Sequence, residues 1–165
     1  MISANAIEIL RSIARAGNDY DVIKRLLAGT QWRMEEDEVD LGFLRVFIPD
    51  AVDQFYRLII GYRDPDRPPY SILTFSLFPD SKEHLAAFDS AFKSVAEALT
   101  TYLGTPTVTG KHQLNFRTWS YAYQRWSLPE GEFTLVQDEF DIQDGMDVTL
   151  WIQPVGTPIE QTLQR

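Results

Sequence analysis

The chain has 165 residues, with 24 acids against 15 bases, a formal net charge of −9 and a pI near 4.6. Such an excess of acid argues against nucleic acid as a direct ligand, because neutralising phosphates takes clustered Lys and Arg. A 44% hydrophobic content fits a packed domain and not a disordered acidic tail, and the absence of cysteine rules out disulfides and thiolate metal sites.

In chain order, Ile7, Leu10, Ile13 and Ala14 recur at helical spacing, and Gly17 is placed to end that helix. Asn18 or Asp19 can cap a second short helix with Val22, Ile23, Leu26 and Leu27 as its apolar positions, ending at Gly29. Four strands are expected next, at Gln31–Glu36, Phe43–Ile48, Gln54–Tyr62 and Tyr70–Phe78. The proline-rich residues 64–69 form a turn among them. Asp80 with Glu83 reads as a capping box. It opens a long helix whose stripe is Leu85, Phe88, Phe92, Val95, Ala96, Leu99 and Leu103, stopped by Gly104 and Pro106. Three further strands follow at Phe116–Leu128, Phe133–Ile142 and Met146–Gln153, with His112 in the loop before them. Pro129-Glu130-Gly131 and Gln143-Asp144-Gly145 supply the turns, each glycine being free to take positive φ.

The pattern predicts one α+β domain over residues 1–165. It has two N-terminal helices, an antiparallel sheet of about seven strands, and one long helix between the fourth and fifth strands, packed on the sheet. The N-terminal residues lack the pattern of a secretory signal, and no window is apolar enough for a membrane helix, so no membrane role is expected. Lack of cysteine fits a reducing cytoplasm, and a cytoplasmic location is the expectation.

From Trp126 to Gln164 there is no lysine or arginine, yet eight acids: Glu130, Glu132, Asp138, Glu139, Asp141, Asp144, Asp147 and Glu160. The 125 residues before it are nearly balanced, with 16 acids and 14 bases. A segment of one sign needs solvent or a basic partner. With a three-residue loop at 143–145, Ile142 faces Met146 and Phe140 faces Val148, giving a buried face with Leu150 and Ile152. The other face then carries Asp141 opposite Asp147, Glu139 opposite Thr149 and Gln137 opposite Trp151. Phe133 and Leu135 fall in the opposite phase, which calls for a bulge near Gln137–Asp138.

Two readings of that face stand side by side. In one, its acids merely solvate the sheet and blunt it against aggregation. In the other, Glu139, Asp141, Asp144, Asp147 and Trp151 form a docking surface for a basic protein, with Trp151 as the anchor. Trp119, Tyr121 and Tyr123 alternate and could extend that surface, Trp126 joins the core, and Arg117 and Arg125 offset nearby carboxylates. A second acidic run at Glu35–Asp40 reads as an exposed turn. Oxygen ligands for a hard cation could come from Asp138, Glu139, Asp141, Asp144 and Asp147. The EF-hand pattern fails, because Phe140 stands where its first aspartate must be, and no metal or other cofactor is expected. His84 and His112 sit in no His-Glu-x-x-His pattern, and there is neither a Gly-x-Ser-x-Gly elbow nor a phosphate loop, so an enzyme is not expected.

Leu103-Gly104-Thr105-Pro106, Trp119, Trp126, residues 133–137 and residues 147–152 together resemble the C-terminal half of small bacterial α+β immunity proteins. The resemblance spans roughly residues 99–154 and rests on spaced apolar and aromatic positions. It implies a cytoplasmic protein, monomeric or a weak homodimer, that binds and neutralises a cognate toxin domain. A secretion chaperone is the alternative, and a small hydrolase using paired carboxylates is a third class.

Overall fold

The computed structural model describes residues 2–17, 19–38, 43–47, 57–61, 70–74, 82–114, 118–139 and 146–163. Helix α1 (Ala4–Ala16) buries Ala6, Ile7, Ile9, Leu10 and Ile13 along one face. The Ser3 hydroxyl caps it by accepting the Ala6 N–H at 3.0 Å, and Gly17, at φ 60°, ends it by donating to the Ala14 carbonyl. Helix α2 (Tyr20–Ala28) is capped by the Asp19 carboxylate, which accepts the Val22 N–H at 3.1 Å, and buries Ile23 and Leu27. Helix α3 (Lys82–Leu103) buries Phe88, Phe92, Val95, Ala96 and Leu99, with Leu85 and Leu103 half-covered at its ends. The expected Asp80 cap lies outside the described residues.

The strands are β1 (Arg33–Glu38), β2 (Phe43–Phe47), β3 (Arg57–Gly61), β4 (Tyr70–Thr74), β5 (Val108–Gln113), β6 (Ser120–Leu128), β7 (Gly131–Asp138) and β8 (Asp147–Gln153). They form one sheet in the order β1-β2-β3-β4-β8-β7-β6-β5, antiparallel at every pairing. Each set of four is a meander, and the two meet where β4 pairs with β8. Partners across an antiparallel ladder share a face. Trp126, Phe133 and Ile152 therefore line one side together with Leu135, Leu150 and Val148, and this side holds the core with the helices. The opposite side carries Arg125, Thr134 and Trp151, then Val136 and Thr149, then Asp138 and Asp147. A last short helix, α4 (Ile159–Leu163), follows β8.

The α+β character stands, but the expected architecture needs correction. The described residues hold four helices and eight strands, not two N-terminal helices, one long helix and about seven strands, and α3 leads into a four-strand antiparallel block of β5 to β8. The unforeseen strand is β5, which contains His112. With Val-Thr-Gly-Lys-His-Gln at a mostly exposed edge, it carries almost none of the apolar alternation that marks a half-buried strand. The register of the last hairpin also differs: Asp147 pairs with Asp138, not Asp141. This register puts Phe133 and Leu135 in phase with Ile152 and Leu150, so the β7–β8 ladder runs without a bulge. The connection spans residues 139–146, of which 140–145, including the expected turn, lie outside the described residues. Gly131 does not take positive φ. It is required because a Cβ there would sit 2.7 Å from the Gln153 carbonyl oxygen.

Phe92 is buried among Phe88, Val95, Ala96 and Leu99 in the central core. Phe92→Ala is expected to lower unfolding free energy by about 3–5 kcal/mol in urea titrations, the range for truncating a buried aromatic.

Candidate functional site

Alternation along β7 and β8 would leave one face wet, yet every residue of both strands is buried. Their polar side chains accordingly form hydrogen-bonded groups in two places. At the end near the 139–146 connection, the Tyr121 hydroxyl donates to Glu139 Oε2 at 2.6 Å. Asp138 Oδ1 accepts the Glu139 N–H at 2.9 Å. Gln137 uses both ends of its amide, accepting the Ala122 N–H and donating to Asp89, each at 2.8 Å. His112 Nε2 lies 3.0 Å from the Gln137 carbonyl oxygen, and its ring stacks at a tilt against Tyr121 and Tyr123. A 2.6 Å hydroxyl–carboxylate bond is among the shorter and stronger kinds.

This places the predicted docking residues differently from the expectation. Glu139 is 3% exposed, Asp147 6% and Trp151 7%, so none of the three presents an open face. Asp141 and Asp144 lie outside the described residues, as do the side chains of the Glu35–Asp40 run. Tyr121 is fully buried and contacts Phe88 edge-on, while Trp119 and Tyr123 are half-covered, so this aromatic series belongs largely to the core and not to an added surface. Trp126 does join the core, donating from Nε1 to the Gly104 carbonyl at 2.8 Å. Among the described residues no three His, Asp or Glu side chains are grouped to hold a metal ion. No described helix is long and apolar enough to cross a membrane.

The second polar group sits under residues 154–163 and was not anticipated. Arg125, 5% exposed, donates from Nε to Thr134 Oγ1 at 2.8 Å, from Nη1 to the Thr157 carbonyl at 2.6 Å and from Nη2 to Thr162 Oγ1 at 3.0 Å. Arg125 does offset neighbouring carboxylates, Glu132 and Glu160, but through space, since its hydrogen bonds go to neutral oxygens; Arg117 lies outside the described residues. Burial pushes its guanidinium pKa below the ordinary value, against the pull of those two carboxylates. Glu132, 6% exposed, accepts the Gly156 N–H at 3.0 Å and the Ser127 hydroxyl at 2.6 Å. The only hint in the sequence is that Arg125, Ser127, Glu132 and Thr134 alternate along β6 and β7, a pattern that reads equally well as solvated.

At the end of the sheet, Ile13, Ala14 and Gly17 of the α1 terminus face Ile152, Gln153, Pro154 and Val155 across a cleft of about 230 Å³. Glu130 forms its rim and is ion-paired with Arg11, which ties α1 to the β6–β7 turn. Ligand sites usually enclose about 300–1,000 Å³. The cleft falls below that range. Comparisons with family models, with curated proteins and with solved structures find no match to this chain.

Two measurements check these assignments. Tyr121→Phe removes a donor from a buried carboxylate and is expected to cost about 1–3 kcal/mol of stability in urea titrations. The Glu130 carboxyl pKa is lowered, first by its hydrogen bond from Arg11 and further by that residue's charge. Its contribution is then present above the unfolded carboxyl value of about 4.3 and lost as pH falls through the lower folded value. Glu130→Gln should therefore melt below wild type near neutral pH, and the gap should close on acidification below about pH 4.

Proposed function

We propose that this chain is a non-catalytic binding protein for a basic protein partner, acting as an immunity protein that occupies the working surface of a toxin domain. The observation that carries the reading is the net charge of −9, gathered by a stretch of chain from Trp126 to Gln164 that contains eight acids and no base. A protein so charged accelerates encounters with a cationic partner and repels acidic ones. Spaced apolar and aromatic positions over roughly residues 99–154 support the same reading through their resemblance to immunity proteins.

Burial of Glu139, Asp147 and Trp151 changes the part they play in this proposal. Glu139 follows the end of β7, Asp147 begins β8 and Trp151 lies within it, and the direct contact falls to Asp141 and Asp144, which stand between Glu139 and Asp147 in the chain.

Stopped-flow association with the product of the neighbouring gene tests the proposal. The on-rate is expected to fall steeply as ionic strength rises through the physiological value, where the screening length is about 8 Å. Asp141→Asn with Asp144→Asn should slow association several-fold while leaving the melting temperature within a degree or two. An on-rate indifferent to salt would remove charge-led docking, and an acidic partner would remove the whole reading.

A further inference from the structure

The ten residues after β8 lie across the outer face of β6, β7 and β8, yet little apolar burial holds them there. Pro154, Val155, Gly156, Pro158, Glu160 and Gln161 are exposed, Val155 to 62%, and Thr162 alone is fully covered. Beneath them are two charged side chains that burial has stripped of water. Their principal grips on the segment are to its main chain, Glu132 accepting the Gly156 N–H and Arg125 donating to the Thr157 carbonyl. Two side-chain bonds at Thr162 complete the attachment: its hydroxyl accepts from Arg125 and donates to Gln153 Oε1 of β8.

We propose that residues 154–163 are a detachable strap, and that the groove beneath it is a peptide-binding groove filled in this state by the chain's own segment. Three features carry the proposal. Glu132 and Arg125 hold, respectively, the N–H of Gly156 and the C=O of the adjacent Thr157, groups that a peptide main chain offers, so the grip does not depend on the strap's own sequence beyond Thr162. Opening returns a guanidinium and a carboxylate to water, and recovered hydration offsets much of the hydrogen bonding lost. Local opening of this kind is drawn from segments with little apolar burial. A hinge is also in place: Gly156 sits at φ 84° with no atom within 4 Å of where a Cβ would be.

The outcome is independent of the proposed toxin partner, because the strap and its groove belong to this chain alone. Hydrogen exchange of the full chain is the test, with a synthetic peptide copying residues 154–163 as the probe. Amides of residues 156, 157 and 159–163 are expected to exchange at least ten-fold faster than those of β7 and of the Val95–Leu99 turn of α3. Peptide at several millimolar should speed strap exchange at least three-fold by holding the groove open. Arg125→Met should speed it at least ten-fold without peptide and abolish the peptide's effect, leaving β7 and α3 unchanged. Thr162→Val, which removes the side-chain bonds to Arg125 and Gln153 but leaves both main-chain grips, should give the same direction with a smaller change. Strap amides that exchange only with the core would overturn the detachable strap. Strap exchange unaffected by peptide would overturn the groove. Arg125→Met and Thr162→Val loosening β7 as much as the strap would reduce Arg125 to a packing role and overturn both.

Discussion

Water is excluded from both faces of β7 and β8, and that constraint shapes most of what surrounds them. A strand buried on two sides cannot leave polar side chains to solvent, and an unpaired buried polar group costs roughly what a hydrogen bond is worth or more. Thr134, Gln137, Glu132, Glu139 and Gln153 each meet this requirement with a partner supplied from elsewhere: Arg125, Asp89, Gly156, Tyr121 and Thr162. These partners come from β6, from α3 and from residues 154–163. The polar network therefore joins elements that the apolar core alone leaves on opposite sides of the sheet. The expected register of the last hairpin gives way for a related reason: register is set by Phe133 and Leu135 meeting Ile152 and Leu150 in the core.

What the sequence makes legible follows from how local the physics is. Helix α3 is readable because Phe88, Phe92, Val95, Ala96 and Leu99 repeat at the helical period within one segment. The cap of α2 is equally local, since Asp19 bonds an amide three residues ahead. Strand β5 is illegible because its residues have no alternation to detect; it exists by pairing with β6 over six residues, Val108 with Arg125 through Gln113 with Ser120. Exposure of Glu139, Asp147 and Trp151 is a different case, since all three are buried. Along β8 the expected faces are the observed ones, with Asp147 and Trp151 opposite the core; a register three residues off exchanges the faces only along β7, where it turns Glu139 outward. Even the correct face would have misled, because the side opposite the core is itself covered.

Arg125 shows how composition can hide a role. An arginine between a tyrosine-rich run and a tryptophan reads as surface, and a guanidinium in the interior is ordinarily paired with a carboxylate. Here neutral oxygens from three separated segments close around it: Thr134 in β7, Thr157 in the turn after β8, and Thr162 in α4. Planar fork geometry makes this possible, since one guanidinium aims donors in several fixed directions at once. Lysine at this position would bring three donors on a flexible stem and could not span the same set.

The charge asymmetry of the sequence is only partly an asymmetry in space. Of the eight acids between Trp126 and Gln164, Glu130 is paired with Arg11 from α1, and Glu132, Asp138, Glu139 and Asp147 are buried. Glu132 and Glu160 lie close enough to Arg125 to act on its charge. The base-free stretch thus draws its nearest cations from outside itself, one at residue 11 and one at the residue immediately before it. Folding brings those two arginines to opposite ends of the same segment, Arg11 at the β6–β7 turn and Arg125 under the C-terminal residues. Long-range steering responds to the net charge, which burial leaves unaltered at −9 if every carboxylate stays ionised. Short-range docking responds to what is exposed, and burial takes four of the eight acids out of that count. A partner drawn in by this protein's field would consequently be gripped by a different and smaller set of groups than those that attracted it.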